Sequence, residues 1–308
     1  MKGLITFVMK GRMQAIMVTV VSAILALLIT PMAIVSAAIV VLATLRNGTR
    51  EGLLVALVGV LAIGGLGGFL FQMPIALALM GLTLWLPAWL LAMVLGSSGS
   101  LIKALEAAAI GGMLIVAAQY VFMADPAVYW GGLLTEWMQG QFDPAIVSLD
   151  EQEKLFKLLA AWMAGGVAAT WLVSSVLAVL LGRWASAVLD KPGAFGAEFR
   201  EIRFSRMWLI AVPAMLLLGV VLTGGEPSFI GQLYLVSVVL FLIQGISVAH
   251  SLVAITKAQS SWLFGLYFLL VVGAPHSVTA IAAAGYADGW VDFRARVRAR
   301  SNRQSGSD

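Results

Sequence analysis

The 308-residue chain has no cysteine and very little charge. The absence of cysteine excludes disulfide bonds, thiolate metal sites and cysteine nucleophiles. Charged residues make up 11% of the chain, whereas soluble domains carry roughly 25%. A bilayer core of ~30 Å takes about 20 apolar residues per spanning helix. The sequence therefore predicts an all-α, polytopic transmembrane helical bundle, because long stretches contain no charged residue, namely 13–45, 52–102, 107–124, 158–182, 207–225, 227–256 and 258–287.

The sequence also lacks the motifs that would identify an enzyme. It has no glycine-rich Walker loop, so the chain is not expected to power transport with ATP by itself. Neither a G-x-S-x-G elbow nor an H-E-x-x-H helix occurs. The two histidines, His250 and His276, are predicted on opposite sides of the membrane, where they could not share a metal ion. We expect no catalytic residue, no metal and no cofactor.

Prolines and polar turns divide the apolar stretches into shorter helices. Pro31 separates a helix at about 12–30 from a short one at about 32–45, because proline breaks an interior helix. The segments 72–74 and 273–276 each contain a proline, and the second predicts a final hairpin of two short helices. We predict about 8–10 membrane helices, several short or broken, in one integral membrane domain over residues 1–308. A polar turn is predicted at 46–52.

Basic residues predict how the bundle is oriented. With the N-terminus in the cytoplasm, every basic residue except Lys154 and Lys157 falls on the cytoplasmic side, as the positive-inside rule requires. The outer loop at about 124–153 is acidic instead. The predicted hairpin at the end of the chain returns the basic tail, about 288–308, to the cytoplasm. We therefore predict a multi-pass protein of the bacterial inner membrane with both termini cytoplasmic.

The outer loop contains apolar residues at helical spacing. This pattern favours a helix that lies in the membrane interface with its tryptophans at headgroup depth. A lid over a ligand is the alternative interpretation. The residues concerned are Trp130, Leu133, Leu134, Trp137 and Met138.

Polar groups inside apolar segments predict where a ligand could bind, because such groups are costly in a membrane. Interrupted helices often mark transporter sites as well. The glutamines could line a polar cavity or simply bond to backbone carbonyls, and His276 could serve an interhelical hydrogen bond. The two chain breaks are predicted near the outer face and are the preferred pocket walls. The candidate pocket residues are Gln72, Pro74, Gln119, Gln232 and His276.

Two segments predicted in the cytoplasm could bind lipid or a protein partner. Around 190–206, Phe195, Phe199 and Ile202 fall on one face of a predicted amphipathic helix, which suits headgroups or a partner. The arginine-rich tail would lie at the inner membrane surface, where anionic lipid attracts basic clusters. Nucleic acid is not an expected partner. The candidate surface residues are Phe195, Phe199, Arg200, Arg203 and Arg294.

Three short motifs resemble the YybS-like family of bacterial polytopic membrane proteins. They are Thr44-Leu45-Arg46-x-Gly48, Glu198-Phe199-Arg200-x-x-Arg203 and Asp288-x-Trp290-x-Asp292-Phe293-Arg294. The resemblance extends over nearly the whole chain. That family is similar in general pattern to the substrate-binding membrane subunits of energy-coupling-factor transporters.

This resemblance implies a small-molecule binding or transport subunit without its own ATPase, working with a separate energising membrane protein. It supplies no catalytic residue. The alternative hypothesis is a scaffold in envelope assembly that contacts partners through the 192–204 segment and the basic tail. A lipid-modifying enzyme is a third hypothesis.

Overall fold

The computed structural model describes residues 2–138, 141 and 148–305, and over these residues it is α-helical without a β-strand. The predicted all-α bundle is confirmed. The helices are α1 (Lys2–Val8), α2 (Arg12–Leu25), α3 (Met32–Asn47), α4 (Thr49–Phe71), α5 (Pro74–Ser98), α6 (Leu101–Phe122), α7 (Pro126–Met138), α8 (Leu149–Asp190), α9 (Ala194–Arg200), α10 (Arg206–Thr223), α11 (Phe229–Ile255), α12 (Ser261–Val272), α13 (His276–Val291) and α14 (Phe293–Ser305).

Six of these helices are long and apolar enough to cross a membrane: α4, α5, α6, α8, α10 and α11. Helices α2, α3 and α12 are apolar but shorter. The chain is therefore a multi-pass membrane protein with several short helices, as predicted. The breaks predicted at Pro31, 72–74 and 273–276 are all present.

The turn predicted at 46–52 is much shorter in the structure. Helix α3 extends to Asn47, and α4 begins at Thr49. Gly48 makes the turn alone with a φ of +94°, a backbone conformation that glycine adopts without steric cost. The flanking polar residues therefore belong to the helix ends.

Close packing divides the chain into two compact units. Unit 1 comprises Met1–Ala108 and Val173–Ile202, and unit 2 comprises Ala109–Leu172 and Arg203–Asp308. Two of the three boundaries between them fall within α6 and α8, and the third lies between α9 and α10, after Ile202. Each unit is arranged around one helix, α3 in unit 1 and α11 in unit 2.

Helix α3 forms the centre of unit 1. Residues 36–44 are all buried, and α2, α4 and α5 pack around them. At 16 residues, α3 is about 24 Å long at the usual rise, which is shorter than the ~30 Å bilayer core. Gly182 of α8 allows close approach to α3, since a Cβ there would lie 2.6 Å from the Val41 Cβ atom. The longer helices α4, α5 and α8 and the short α2 thus enclose α3.

A buried tryptophan connects three helices in unit 1. The Trp85 side chain is 0% exposed, and its Nε1 donates to the Ser36 hydroxyl at 2.9 Å. That hydroxyl in turn donates to the Thr19 carbonyl at 2.7 Å. Gly59 and Gly81 make room for the ring, since a Cβ at either position would lie within 3 Å of it. The polar chain links α2, α3 and α5 inside an apolar core.

Replacing Trp85 with phenylalanine is expected to reduce the free energy of unfolding by about 1–3 kcal/mol, because the Ser36 oxygen loses its buried donor. Thermal unfolding in detergent measures this loss. The matched control is Trp137→Phe, because Trp137 is 61% exposed on α7, and a change within about 0.5 kcal/mol is expected there. Equal effects of the two substitutions would contradict the proposed role of the buried indole N–H.

Helices α4 and α5 form a hairpin whose turn is at 72–74. Gln72 ends α4 in the left-handed conformation, with a φ of +58°, and Pro74 begins α5. Both residues are exposed. Gly67 faces Leu77 across the hairpin, where a Cβ would lie 2.8 Å from its side chain. The predicted break is therefore an exposed turn between two packed helices.

Helix α11 forms the centre of unit 2. Helix α10 packs antiparallel to it, with Phe204 bonded to Gln244 near one end and Gly219 facing Ile230 near the other. Helix α13 is also antiparallel to α11. A Cβ at Gly245 would lie 2.1 Å from the Ile281 carbonyl oxygen, and one at Gly285 would lie 2.1 Å from that of Phe241.

The direction of α13 corrects the predicted final hairpin. That hairpin required α13 to run parallel to α11, with the 273–276 break at the N-terminal end of α11. In the structure α13 is antiparallel, so His276 lies toward the C-terminal end of α11. The glycines explain this arrangement, because Gly245 and Gly285 let the two backbones come into contact.

Candidate functional site

The structure brings two of the predicted pocket residues, Gln119 and Gln232, to the same part of α8. Gln232 Oε1 accepts from the Gly165 amide at 2.7 Å, and its Nε2 donates to the Ala161 carbonyl at 2.6 Å. Gln119 Nε2 donates to the Ala164 carbonyl at 3.0 Å. Both side chains are buried. The glutamines therefore bond to the backbone, which was one of the two predicted alternatives.

Gly165 makes this contact possible. A Cβ at Gly165 would lie 2.5 Å from Gln232 Oε1 and 3.1 Å from the Gln232 Cα atom. Helices α8 and α11 thus cross closely at this point. The Gln119 Oε1 atom accepts from Trp130 Nε1 at 2.9 Å, which ties α7 to the same cluster. The polar groups here are well ordered by their own hydrogen bonds.

A cavity of about 410 Å³ lies beside this crossing, within unit 2. Its wall includes Gln232 and the aromatic residues Tyr120 and Phe229, whose rings pack edge to face with centroids 5.1 Å apart. Small side chains, including Ala161 and Ala164, form another part of the wall. The cavity has the size of a small-molecule site, and its wall combines aromatic and alanine side chains with several polar groups.

Asp125 is the one charged residue among the described residues that line this cavity. Its Oδ1 accepts from the amides of Ala127 at 2.8 Å and Val128 at 3.3 Å. Asp125 thereby caps the start of α7, where Pro126 occupies the first helical position. The carboxylate stays exposed, so it can attract a positively charged group in a ligand.

The other predicted pocket residues lie elsewhere. Gln72 and Pro74 belong to unit 1, in the exposed turn of the α4–α5 hairpin. His276 is exposed and lies past the contact between Ile281 and Gly245. Gln232 lies about 20 Å from Gly245 along α11 at 1.5 Å per residue, so His276 is at least that far from Gln232. Of the predicted set, the structure joins only Gln119 and Gln232 at one place.

The predicted amphipathic helix is also shorter than expected. Helix α9 ends at Arg200, and Ile202 and Phe204 are buried in the non-helical segment that follows. Phe195 and Phe199 are partly buried, with ring centroids 6.0 Å apart. The prediction of one helical face from Phe195 to Ile202 is wrong, because the chain leaves the helix before Ile202. Arg200 is itself partly buried.

Two other predicted surface arginines, Arg203 and Arg294, belong to a cluster of ion pairs in unit 2. Arg294 pairs with Asp288 at 2.6 Å, and the two side chains are 6% and 0% exposed. Arg203 pairs with Asp292 at 2.7 Å and also donates to the Asp288 carbonyl at 3.3 Å. The prediction that Arg294 lies at the surface is wrong, because its guanidinium pairs with the buried Asp288 carboxylate of α13. We call these four residues the charge cluster.

The charge cluster makes part of the stability dependent on pH. The Ala295 amide and the Arg203 guanidinium both hold the pKa of Asp292 below its ordinary value. A carboxyl group with a lowered pKa stabilises the folded state above its ordinary pKa. This contribution is lost as the pH falls through the lowered value.

Among the described residues, no group of three or more histidine, cysteine, aspartate or glutamate side chains is close enough to hold a metal ion. Comparison with protein-family models, curated proteins and solved structures finds no match. The functional interpretation therefore depends on the geometry of the chain itself. Tyr120 and Phe229 were not predicted as site residues, and Asp125 was predicted only as part of an acidic loop. The sequence Asp125-Pro126, which is typical of a helix start, was the one local pattern that could have drawn attention to Asp125.

Proposed function

We propose that this membrane protein binds a small molecule in the cavity beside Gln232 and does not convert it chemically. The observation that carries the proposal is the 410 Å³ cavity with one carboxylate at its edge. Its volume falls in the usual range for small-molecule sites, about 300–1,000 Å³. The hydrogen bonds of Gln119 and Gln232 hold the surrounding helices in place, so the wall is formed before a ligand arrives.

The wall suggests the class of ligand. Phe229, the Tyr120 ring and the alanines favour a ligand with an apolar or aromatic body, since they contribute hydrocarbon and ring surface to the wall. Asp125 favours an ammonium or another positively charged group at one end. The ligand that best fits both parts of the wall is therefore a small cation with an apolar body.

Transport of this molecule with a separate energising membrane protein is part of the same proposal. It is supported by the resemblance to the YybS-like family and by the lack of a nucleotide-binding loop in the sequence. A position in a bacterial inner membrane with a cytoplasmic N-terminus is likewise proposed from the distribution of basic residues. A cytoplasmic tail is proposed from the ion pair between Asp292 and Arg203, because α13 does not form the predicted hairpin. The scaffold alternative receives less support, because Arg203 and Arg294, which it would use, are engaged in the charge cluster.

The test is to purify the protein in detergent and identify the small molecules that accompany it by mass spectrometry. The decisive variant is Asp125→Asn, because asparagine still caps α7 but removes the charge. We expect the affinity for the ligand to fall about two- to fivefold, since an ion pair with an exposed carboxylate contributes about 0.5–1 kcal/mol. The matched control is Glu136→Gln, an exposed acid on α7, which should retain the ligand. Equal occupancy in both variants would contradict the proposal.

A further inference from the structure

A second cavity, of about 360 Å³, lies within unit 1 and is separate from the site proposed above. Its wall combines the end of α3, the end of α5 and the last turns of α8. Two guanidinium groups, Arg46 and Arg183, line it together with the Ser186 hydroxyl and the Asp190 carboxylate. A cavity with two arginines and a hydroxyl offers many hydrogen-bond donors to an anion.

Each arginine has only part of its donor capacity used by the described residues. Arg46 pairs with Asp190 through Nη1, and Arg183 donates from Nε to Glu198 at 2.8 Å. A guanidinium carries five N–H donors in a fixed fork. Donors therefore remain on both guanidinium groups, whose side chains are 28% and 35% exposed.

The cavity is open where a side chain would otherwise cover it. Gly96 and Gly99 form its rim at the end of α5. Gly99 has a φ of +62°, and a Cβ there would meet no atom within 4 Å. The chain thus turns from α5 into α6 beside the arginines without placing a side chain over them.

We propose that this cavity binds a phosphate group. Arginine forks match phosphate oxygens in a bidentate manner and are the preferred groups for this recognition. Asp190 is the more exposed partner of its pair, at 59%, so a phosphate can displace it from Arg46 at little cost. The displaced carboxylate can then accept from an ammonium group. The phosphate can come from a phospholipid headgroup or from a soluble phosphate compound.

The ion pairs alone could serve to fasten α3 and α9 to α8, and the two roles predict different results for Asp190→Asn. If Asp190 competes with the ligand, removing its charge should tighten phosphate binding several-fold. If the pair is only structural, the substitution should leave phosphate binding unchanged. Whether Asp190→Asn tightens phosphate binding therefore separates the two roles.

The experiment titrates the detergent-solubilised protein with two probes, phosphatidylglycerol and inorganic phosphate, and measures binding by native mass spectrometry and by the shift in Tm. We expect Arg183→Gln to weaken binding about tenfold or more, as loss of a charge-assisted contact predicts. The matched control is Arg12→Gln, because Arg12 is also ion-paired in unit 1 but does not line the cavity. Arg183→Lys keeps the charge and should bind with intermediate affinity.

The two probes distinguish the source of the phosphate. Binding of phosphatidylglycerol alone identifies a lipid headgroup, and binding of inorganic phosphate as well identifies a soluble phosphate. The proposal is overturned if neither probe binds the unmodified protein more tightly than Arg183→Gln. It is equally overturned if Asp190→Asn leaves the affinity for both probes unchanged. Should Arg183→Gln not fold, Arg183→Lys and Asp190→Asn still decide the question.

Discussion

Arg294→Met is expected to destabilise the folded protein by about 3–5 kcal/mol, the usual cost of breaking a buried ion pair from one side. The substitution leaves the Asp288 carboxylate, which is 0% exposed, without its cationic partner. Asp288 also accepts from the Phe293 amide at 3.0 Å, so the start of α14 should loosen as well. Thermal and denaturant unfolding in detergent measure the loss.

The double variant Asp288→Asn with Arg294→Met should recover most of this stability, because it removes both charges and keeps an acceptor for Phe293. The matched control is Lys154→Met, since Lys154 and Asp150 form an exposed pair, 74% and 73% accessible. A change of no more than about 0.5 kcal/mol is expected there. A loss in Arg294→Met as small as that in the control would show that Arg294 lies at the surface after all.

Gly285→Ala is expected to prevent normal packing of α13 on α11. The new Cβ would lie 2.1 Å from the Phe241 carbonyl oxygen and 2.5 Å from the Gly245 amide nitrogen. Both are backbone atoms, so relief requires the helices to separate. Overpacking usually costs about 1–3 kcal/mol and sometimes more, and a contact with backbone places this variant at or above the upper end. The yield and stability of the Gly285→Ala protein, determined by fluorescence-detected size-exclusion chromatography, measure this destabilisation.

The control for this variant is Gly65→Ala on α4, where an added Cβ meets nothing within 4 Å. Alanine is the better helix former by about 1 kcal/mol, so this variant should be at least as stable as the parent protein. Normal folding of Gly285→Ala would contradict the close antiparallel contact between α11 and α13. It would then reopen the hairpin arrangement that the sequence predicted.

The helices and their breaks could be predicted because they depend on local properties. Pro31 and Pro74 coincide with breaks, although Pro87 and Pro213 lie inside α5 and α10. Long apolar segments form helices in a bilayer, where each backbone polar group needs a partner. The positions of Gln119 and Gln232 could be suspected for the same reason, since an amide inside an apolar segment must find a partner. Their shared contact with α8 depends on Gly165, whose role appears only when two helices meet.

The burial of Arg294 and the direction of α13 could not be predicted from the sequence. A tail arginine has the same local pattern whether it faces lipid or a buried carboxylate such as Asp288. Likewise, an apolar segment with a central break fits both a membrane hairpin and a helix that folds back along its neighbour. The outcome was decided by the contact between Gly245 and Gly285, residues far apart in the chain. Tyr120 and Phe229 were missed because aromatic residues are common in any membrane bundle.

The central claim is that the cavity beside Gln232 holds a small molecule. Native mass spectrometry of the intact protein, released gently from detergent, tests it most directly. We predict a single bound molecule per chain, lost when Ala161→Phe fills the cavity; the Ala161 carbonyl would still accept from Gln232. The unfolding temperature of Ala161→Phe should confirm that the chain is folded. A folded Ala161→Phe protein that retains the same bound mass, or a parent protein that never carries one, would contradict the account.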